Sequence, residues 1–331
     1  METLSQFLMD EWLGKAIWLW LMFVGIVVVL LAFDLGVLHR KDHQIGVKES
    51  LGLSAFYLLF AIAFGGFVWF KQGAEAGANY YTAMLVEKTL AMDNIFIISL
   101  IFTYLSIPLK YQHRVLFWGI LGVILLRGLM IGLGATLIAE FSWILYIFGA
   151  FLIVTGIKML IMVDHEPDIA NNRVLKSLKK HFRFTETIEG QRFFIKKPHP
   201  KTGKIVTYAT PLLLALICIE VVDLVFAVDS VPAVFAITHD PYIVYTSNIF
   251  AILGLRALYF ALGAIIHRFS YLKYSLAVVL IFIGGKIFAA DIFGIEKVPA
   301  WISLSVTIVL LGSGVVFSLF KNRRETVGKS S

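Results

Sequence analysis

Nine runs of mainly apolar residues divide the chain, at roughly 16–38, 50–70, 82–105, 114–138, 142–163, 209–237, 243–266, 272–290 and 300–320. Each is close to or longer than the ~20 residues with which an α-helix crosses a bilayer. In hydrocarbon every backbone N–H and C=O must find a partner within the protein, so such runs fold as helices. The chain is therefore predicted to be an all-α polytopic membrane protein with about nine transmembrane helices in a single membrane domain. Its composition agrees. Of 331 residues, 59% are hydrophobic and 15% charged, against about 45–50% apolar in soluble domains.

The distribution of charge gives an orientation. Arg40, Lys41, Lys48, Lys110, Arg114, Arg268, Lys273, Lys321, Arg323, Arg324, Lys329 and the bases of the 164–208 loop fall on one side of the predicted bundle. The other side holds Lys15, Lys71 and Lys297. Basic loops stay cytoplasmic, so the N-terminus is expected outside and the C-terminus inside. The net charge of +7 thus reads as a topology signal, and no nucleic-acid partner is expected. Glu2, Asp10 and Glu11 precede Lys15, unlike the basic start of a secretory signal, so the first span is expected to be retained. The 164–208 loop carries Leu175, Leu178, Phe182 and Phe184 among its bases, then Phe193, Phe194 and Ile195. It reads as a solvated connector, or as a short amphipathic helix on the anionic leaflet.

Two spans carry acids where hydrocarbon disfavours them. Glu220, Asp223 and Asp229, followed by Ser230, lie inside the apolar stretch from Pro211 to Ile237. Glu87, Asp93 and Asn94 lie inside 82–105 with the same spacing of acid, then Asp and a small polar residue. A charge at that depth costs a few kcal/mol even on lenient insertion scales and needs a partner. The repeat extends further. Leu126-Arg127-Gly128-Leu129 corresponds to Leu255-Arg256-Ala257-Leu258, and the Gly156-Ile157-Lys158 segment to Gly284-Gly285-Lys286. Each unit, 82–163 and 209–290, has three spans, an odd number, so the second enters the membrane from the opposite side. Two inverted three-helix repeats are expected, with extra helices at 16–38, 50–70 and 300–320. Secondary transporters are often built this way, with their sites at the repeat interface.

The chemistry of the acids narrows the cargo. Hard divalent cations take carboxylate, amide and hydroxyl oxygens. Glu87, Asp93, Asn94, Glu220, Asp223, Asp229 and Ser230 supply that set and are the candidate metal ligands, for Mn²⁺, Mg²⁺ or Ca²⁺. Lys88, Arg127, Lys158, Arg256 and Lys286 are candidate charge compensators, although Lys158 and Lys286 could equally snorkel from span ends. Asp34 reads as a boundary residue. The alternative is an internal charge lattice that only holds the bundle together. At 100° per residue Glu87 shares a face with Asn94, and Asp223 with Ser230, whereas Asp93 and Asp229 fall about 120° away. Either the helices break between these acids, a reading Pro232 favours in the second unit, or the two Asp serve other neighbours. The single cysteine, Cys218, rules out an intrachain disulfide framework. No motif of a nucleotide-dependent or metalloprotease enzyme is present, so no enzymatic activity and no prosthetic group are expected.

Glu87-Lys-Thr-Leu-Ala-Met-Asp93-Asn94, Glu220 through Ser230-Val-Pro-Ala, Thr246-Ser-Asn248 through Leu255-Arg256, and Phe282-Ile-Gly284-Gly-Lys286 resemble the TerC family, close to its Alx branch. The resemblance covers roughly Ala32 to Lys286. It implies a bacterial inner-membrane protein, linked to tellurium resistance, manganese export and responses to alkaline pH. It also implies that Glu87, Asp93, Glu220, Asp223 and Asp229 handle metal. The expectation is a secondary transporter exporting Mn²⁺, coupled to H⁺ because intramembrane carboxylates can exchange metal for proton. The alternative is a stress or tellurium-resistance component, or a scaffold, with no transport of its own.

Overall fold

The structure is a computed structural model. It describes residues 2–33, 47–141, 143–161, 184–185, 188, 190–198, 203–262, 271–292 and 298–328. Asp34 and most of the 164–208 loop, including Leu175, Leu178 and Phe182, lie outside the described residues.

The chain opens with a short helix, α1 (Glu2–Met9), and a two-stranded ribbon, β1 (Glu11–Trp12) and β2 (Lys15–Ala16), which leads into α2 (Ile17–Phe33). The long helices α3 (Val47–Gln72), α4 (Ala74–Tyr104), α5 (Leu109–Glu140) and α6 (Ile144–Ile161) follow. After the loop come an antiparallel hairpin, β3 (Phe194–Pro198) and β4 (Ile205–Ala209), and then α7 (Pro211–Ile237). Next are α8 (Pro241–Leu253), α9 (Leu255–Leu262), α10 (Leu272–Ile292) and α11 (Ala300–Gly328). Phe194 and Ile195 therefore alternate across a strand, Phe194 exposed and Ile195 buried, rather than sharing the face of a helix.

Among the described residues, seven helical segments are long and apolar enough to cross a membrane. They lie on α3, α5, α6, α7, α8–α9, α10 and α11. The chain is an all-α polytopic membrane protein. The 17-residue α2 is apolar but shorter. The 31-residue α4 stands apart because Glu87, Lys88 and Asp93 crowd its middle. Its surroundings explain how such a helix is tolerated. It packs against α3, α7, α8 and α11, which screen its polar face from lipid. α8 is sheltered too, with every residue from Tyr242 to Leu253 except Tyr245 buried. The outer helices carry the opposite pattern. Val29, Leu59, Leu125, Val154 and Val309 face outward, the apolar surface that lipid contact requires.

Where α6 meets α10, the most extensive helix–helix packing among the described residues, the contact is made by small residues. Gly156 approaches the backbone carbonyl of Ala277, and Gly284 approaches that of Gly149. A methyl group at either glycine would collide with the facing helix, so the sequence buys close approach there with the absence of a side chain. Residue numbers rise along one helix as they fall along the other, so the two helices run antiparallel.

Pro232 does not break α7, which is continuous from Pro211 to Ile237. A proline removes one intrahelical hydrogen bond, and a helix packed between α4 and α5 absorbs that loss. The break falls elsewhere, in the span predicted over 243–266. It lies at Gly254, between α8 and α9.

Candidate functional site

The buried polar centre lies where α4, α5, α7 and α8 meet. Each helix contributes for a local reason. Glu87 and Asn94 are two turns apart and project from one side of α4, as Asp223 and Ser230 do from α7. Asp240 caps the N-terminus of α8 by accepting from the backbone N–H of Tyr242 at 3.0 Å and of Ile243 at 3.4 Å, with Pro241 in the first turn. That cap starts the helix whose second turn presents Asn248.

Arg127 of α5 is the hub and is 1% exposed. Its Nη2 donates to Asp223 Oδ1 at 3.1 Å and its Nε to Oδ2 at 3.3 Å, a two-point clamp. Its Nη1 donates to Glu87 Oε1, to Ser230 Oγ at 3.1 Å and to Asn248 Oδ1 at 2.9 Å. Glu87 is fully buried, and so is Asn248. Asn94 Nδ2 donates to Asp223 Oδ1 at 3.4 Å, and Ser230 and Glu87 accept from the same Arg127 nitrogen. The acid of α7 thus bonds the small polar residue of α4 directly, and the acid of α4 and the small polar residue of α7 are joined through Arg127. A cluster of this kind is costly to dismantle. Removing one member of a buried ion pair leaves an uncompensated charge, worth about 3–5 kcal/mol.

Several groups at the centre remain unsatisfied. Glu87 Oε2, Asn94 Oδ1, Asn248 Nδ2 and Glu220 Oε2 are buried without a hydrogen-bond partner among the described residues. Glu220 lies one turn before Asp223 and turns its carboxylate onto Gly119 and Gly122 of α5. Among the described residues, no three of His, Cys, Asp and Glu form a ready metal cage. The two acids that meet are held apart by Arg127.

Of the residues expected at the site, Glu87, Asn94, Asp223, Ser230 and Arg127 come together. Glu220 sits beside them. Asp93, Asp229 and Arg256 lie on α4, α7 and α9, and their side chains are outside the described residues. The lysines do other work. Lys88 donates to the carbonyl of Ala251 at 3.0 Å, next to the break at Gly254. Lys158 is exposed in the last turn of α6. Lys286 reaches toward Ser303 Oγ at 3.5 Å and lines a cavity. Asn248 was not expected. Its signal was an amide inside an apolar run, which a hydropathy average hides.

Among the described residues, two cavities lie along α4, one near Asn79 and one at Asn94. One of about 620 Å³ opens where α3 ends and α4 and α8 begin, with Gln72, Glu75, Asn79, Asp240 and Lys286 on its walls. Lys15 bridges its rim, 2.8 Å from Asp240 and 2.6 Å from Gln72 Oε1. The other, about 50 Å³, touches the centre at Asn94 and Asp223, with Tyr259 on its wall.

A family model described as "Integral membrane protein TerC family" matches residues 72–326. The chain belongs to the TerC family. It is 49% identical over 302 residues to an uncharacterized membrane protein of Rickettsia felis, covering 91% of this chain and 97% of that one. It is 45% identical over 305 residues to an uncharacterized membrane protein of Myxococcus xanthus, covering 92% and 93%. With Alx of Escherichia coli, named as a candidate membrane-bound redox modulator, it shares 42% identity over 315 residues, covering 92% and 95%. No solved structure matches this TerC-family chain.

Proposed function

We propose that this TerC-family protein is a secondary transporter that exports a divalent metal cation, Mn²⁺, from the cytoplasm in exchange for H⁺. The observation that carries the reading is that an acid and a small polar residue from each of α4 and α7 meet at one buried centre: Arg127 donates to Glu87, Asp223 and Ser230, and Asn94 donates to Asp223. Matching residues of two units, gathered at one buried centre, are what an inverted repeat produces at its interface. The antiparallel packing of α6 on α10, through matching glycines, supports the same arrangement. The units are 82–163 and 209–290.

The donor chemistry suits the cargo. Carboxylate, amide and hydroxyl oxygens are the ligands of hard divalent cations. Glu87, Asn94, Asp223 and Ser230 supply them, with Asp93, Asp229 and Glu220 close by in sequence. The small cavity at Asn94 and Asp223 supports a route to the centre. The basic segments orient the protein in the inner membrane with its N-terminus outside and its C-terminus in the cytoplasm.

A redox role, which the Escherichia coli relative's name carries, meets a chemical obstacle. Cys218 is the only cysteine, so one chain cannot cycle between dithiol and disulfide. A stress-resistance component without transport is the remaining alternative, and flux separates the two. Cells expressing the protein should contain less manganese than cells without it. Glu87→Gln and Asp223→Asn, present in the membrane at the parent's level, should not lower it. Variants that lower cellular manganese as the parent does would refute the proposal.

A further inference from the structure

Arg127 sits where a cation would. All five acceptors of its guanidinium are oxygens: Glu87 Oε1, both carboxylate oxygens of Asp223, Ser230 Oγ and Asn248 Oδ1. They come from three different helices and surround one buried charge. Two further buried oxygens at the same centre, Glu87 Oε2 and Asn94 Oδ1, have no partner among the described residues. A cage of oxygens with unused members is the environment a hard cation of six or more ligands requires. A guanidinium fills it incompletely, because its five N–H groups lie in one plane.

Resting on the transport reading above, we propose that Arg127 is an internal surrogate for the cargo. It occupies the oxygen cage of the metal-free protein, and the incoming cation displaces it. The physical need is clear. Two carboxylates facing each other in a low-dielectric bundle repel unless a positive charge lies between them. A carrier that must change conformation without cargo therefore needs a cation of its own, and Arg127, on the neighbouring α5, supplies it. Its bonds to Asn248 and Ser230 hold α5, α7 and α8 together in that state. Release of these bonds by the metal gives α5 a reason to move only when cargo has arrived.

As a surrogate Arg127 competes with the metal, whereas a purely structural arginine would be its support. The two roles predict opposite changes. Full-length protein in detergent is titrated calorimetrically with Mn²⁺, comparing the parent with Arg127→Gln and Arg127→Lys. Lysine keeps a buried charge for folding but, as a single-point cation, cannot clamp both acids. Both variants should bind Mn²⁺ more tightly than the parent, by about tenfold, the worth of one charge-assisted hydrogen bond. Both should also export more slowly, because nothing then drives the metal out. If Arg127→Gln does not fold, Arg127→Lys decides. Weaker binding in a folded Arg127→Lys protein, with the parent binding normally, overturns the surrogate role and leaves the transport reading intact. Absence of Mn²⁺ binding in parent and variants alike overturns both.

Discussion

The ammonium of Lys88 donates a 3.0 Å hydrogen bond to the carbonyl of Ala251, three residues before the break that separates α8 from α9. An interrupted helix inside a membrane leaves carbonyls without partners, and each must be satisfied from elsewhere. Gly254 makes room for this, since a methyl group there would lie 2.9 Å from Lys88 Nζ. Lys88→Met keeps the length and loses the donor. It should destabilise the protein by about 1–3 kcal/mol, the cost of an unsatisfied buried acceptor. A thermal midpoint by fluorescence-detected size exclusion should fall accordingly, and an unchanged midpoint would mean that the bond has no structural weight.

The two glycines of α5 beneath Glu220 make an internally controlled pair. A methyl group at Gly122 would overlap the Glu220 carboxylate, whereas one at Gly119 would meet only ordinary contacts beyond 3.6 Å, the nearest being Ile219 at 3.7 Å. Gly122→Ala is expected to lose about 1–3 kcal/mol through overpacking, and Gly119→Ala to be close to neutral. Adding Glu220→Ala should restore most of the Gly122→Ala loss, since contacting residues couple. Equal thermal midpoints for the two glycine variants would contradict the packing.

The parts of this site that stand out in the sequence are those whose burial is anomalous. Glu87, Asp223 and Arg127 are legible because charges are rare in apolar runs, and Asn94 and Ser230 because they repeat at the same spacing after an acid. Asn248 is not legible, because a neutral amide barely lowers the hydropathy of its segment. The duty of Lys88 is hidden as well. Its partner is a backbone carbonyl 163 residues away, exposed by a break at Gly254 that no proline marks. Pro232 misleads in the other direction, since tertiary packing keeps α7 helical through it. The hairpin at Phe194–Ala209 is masked by its basic residues, which dominate the charge of the loop and obscure its two-residue alternation.

Carboxylate ligands bind metal only when ionised, so protons and Mn²⁺ compete for them. Lower pH protonates the acids and weakens binding, and affinity should climb with pH until they are ionised. Calorimetric titrations of the full-length protein from pH 5 to pH 8 check the sign. A falling affinity over that range would remove carboxylates from the site.

The orientation derived from the basic segments is also open to direct test. A reporter fused after Ser331 should read cytoplasmic, and one fused before Met1 should read outside. An outward C-terminus would reverse the direction assigned to every helix, including those that meet at Arg127.

The central claim is that the Glu87–Asp223 centre passes a divalent cation. Purified protein sealed into lipid vesicles, with Mn²⁺ outside and a manganese-sensitive dye within, tests it without any other component. The parent should admit Mn²⁺ when a proton gradient is imposed with the interior acidic, and vesicles with Asp223→Asn should stay at the level of protein-free ones. Parent vesicles that remain as impermeable to Mn²⁺ as empty lipid, whichever way the gradient is set, would contradict the account.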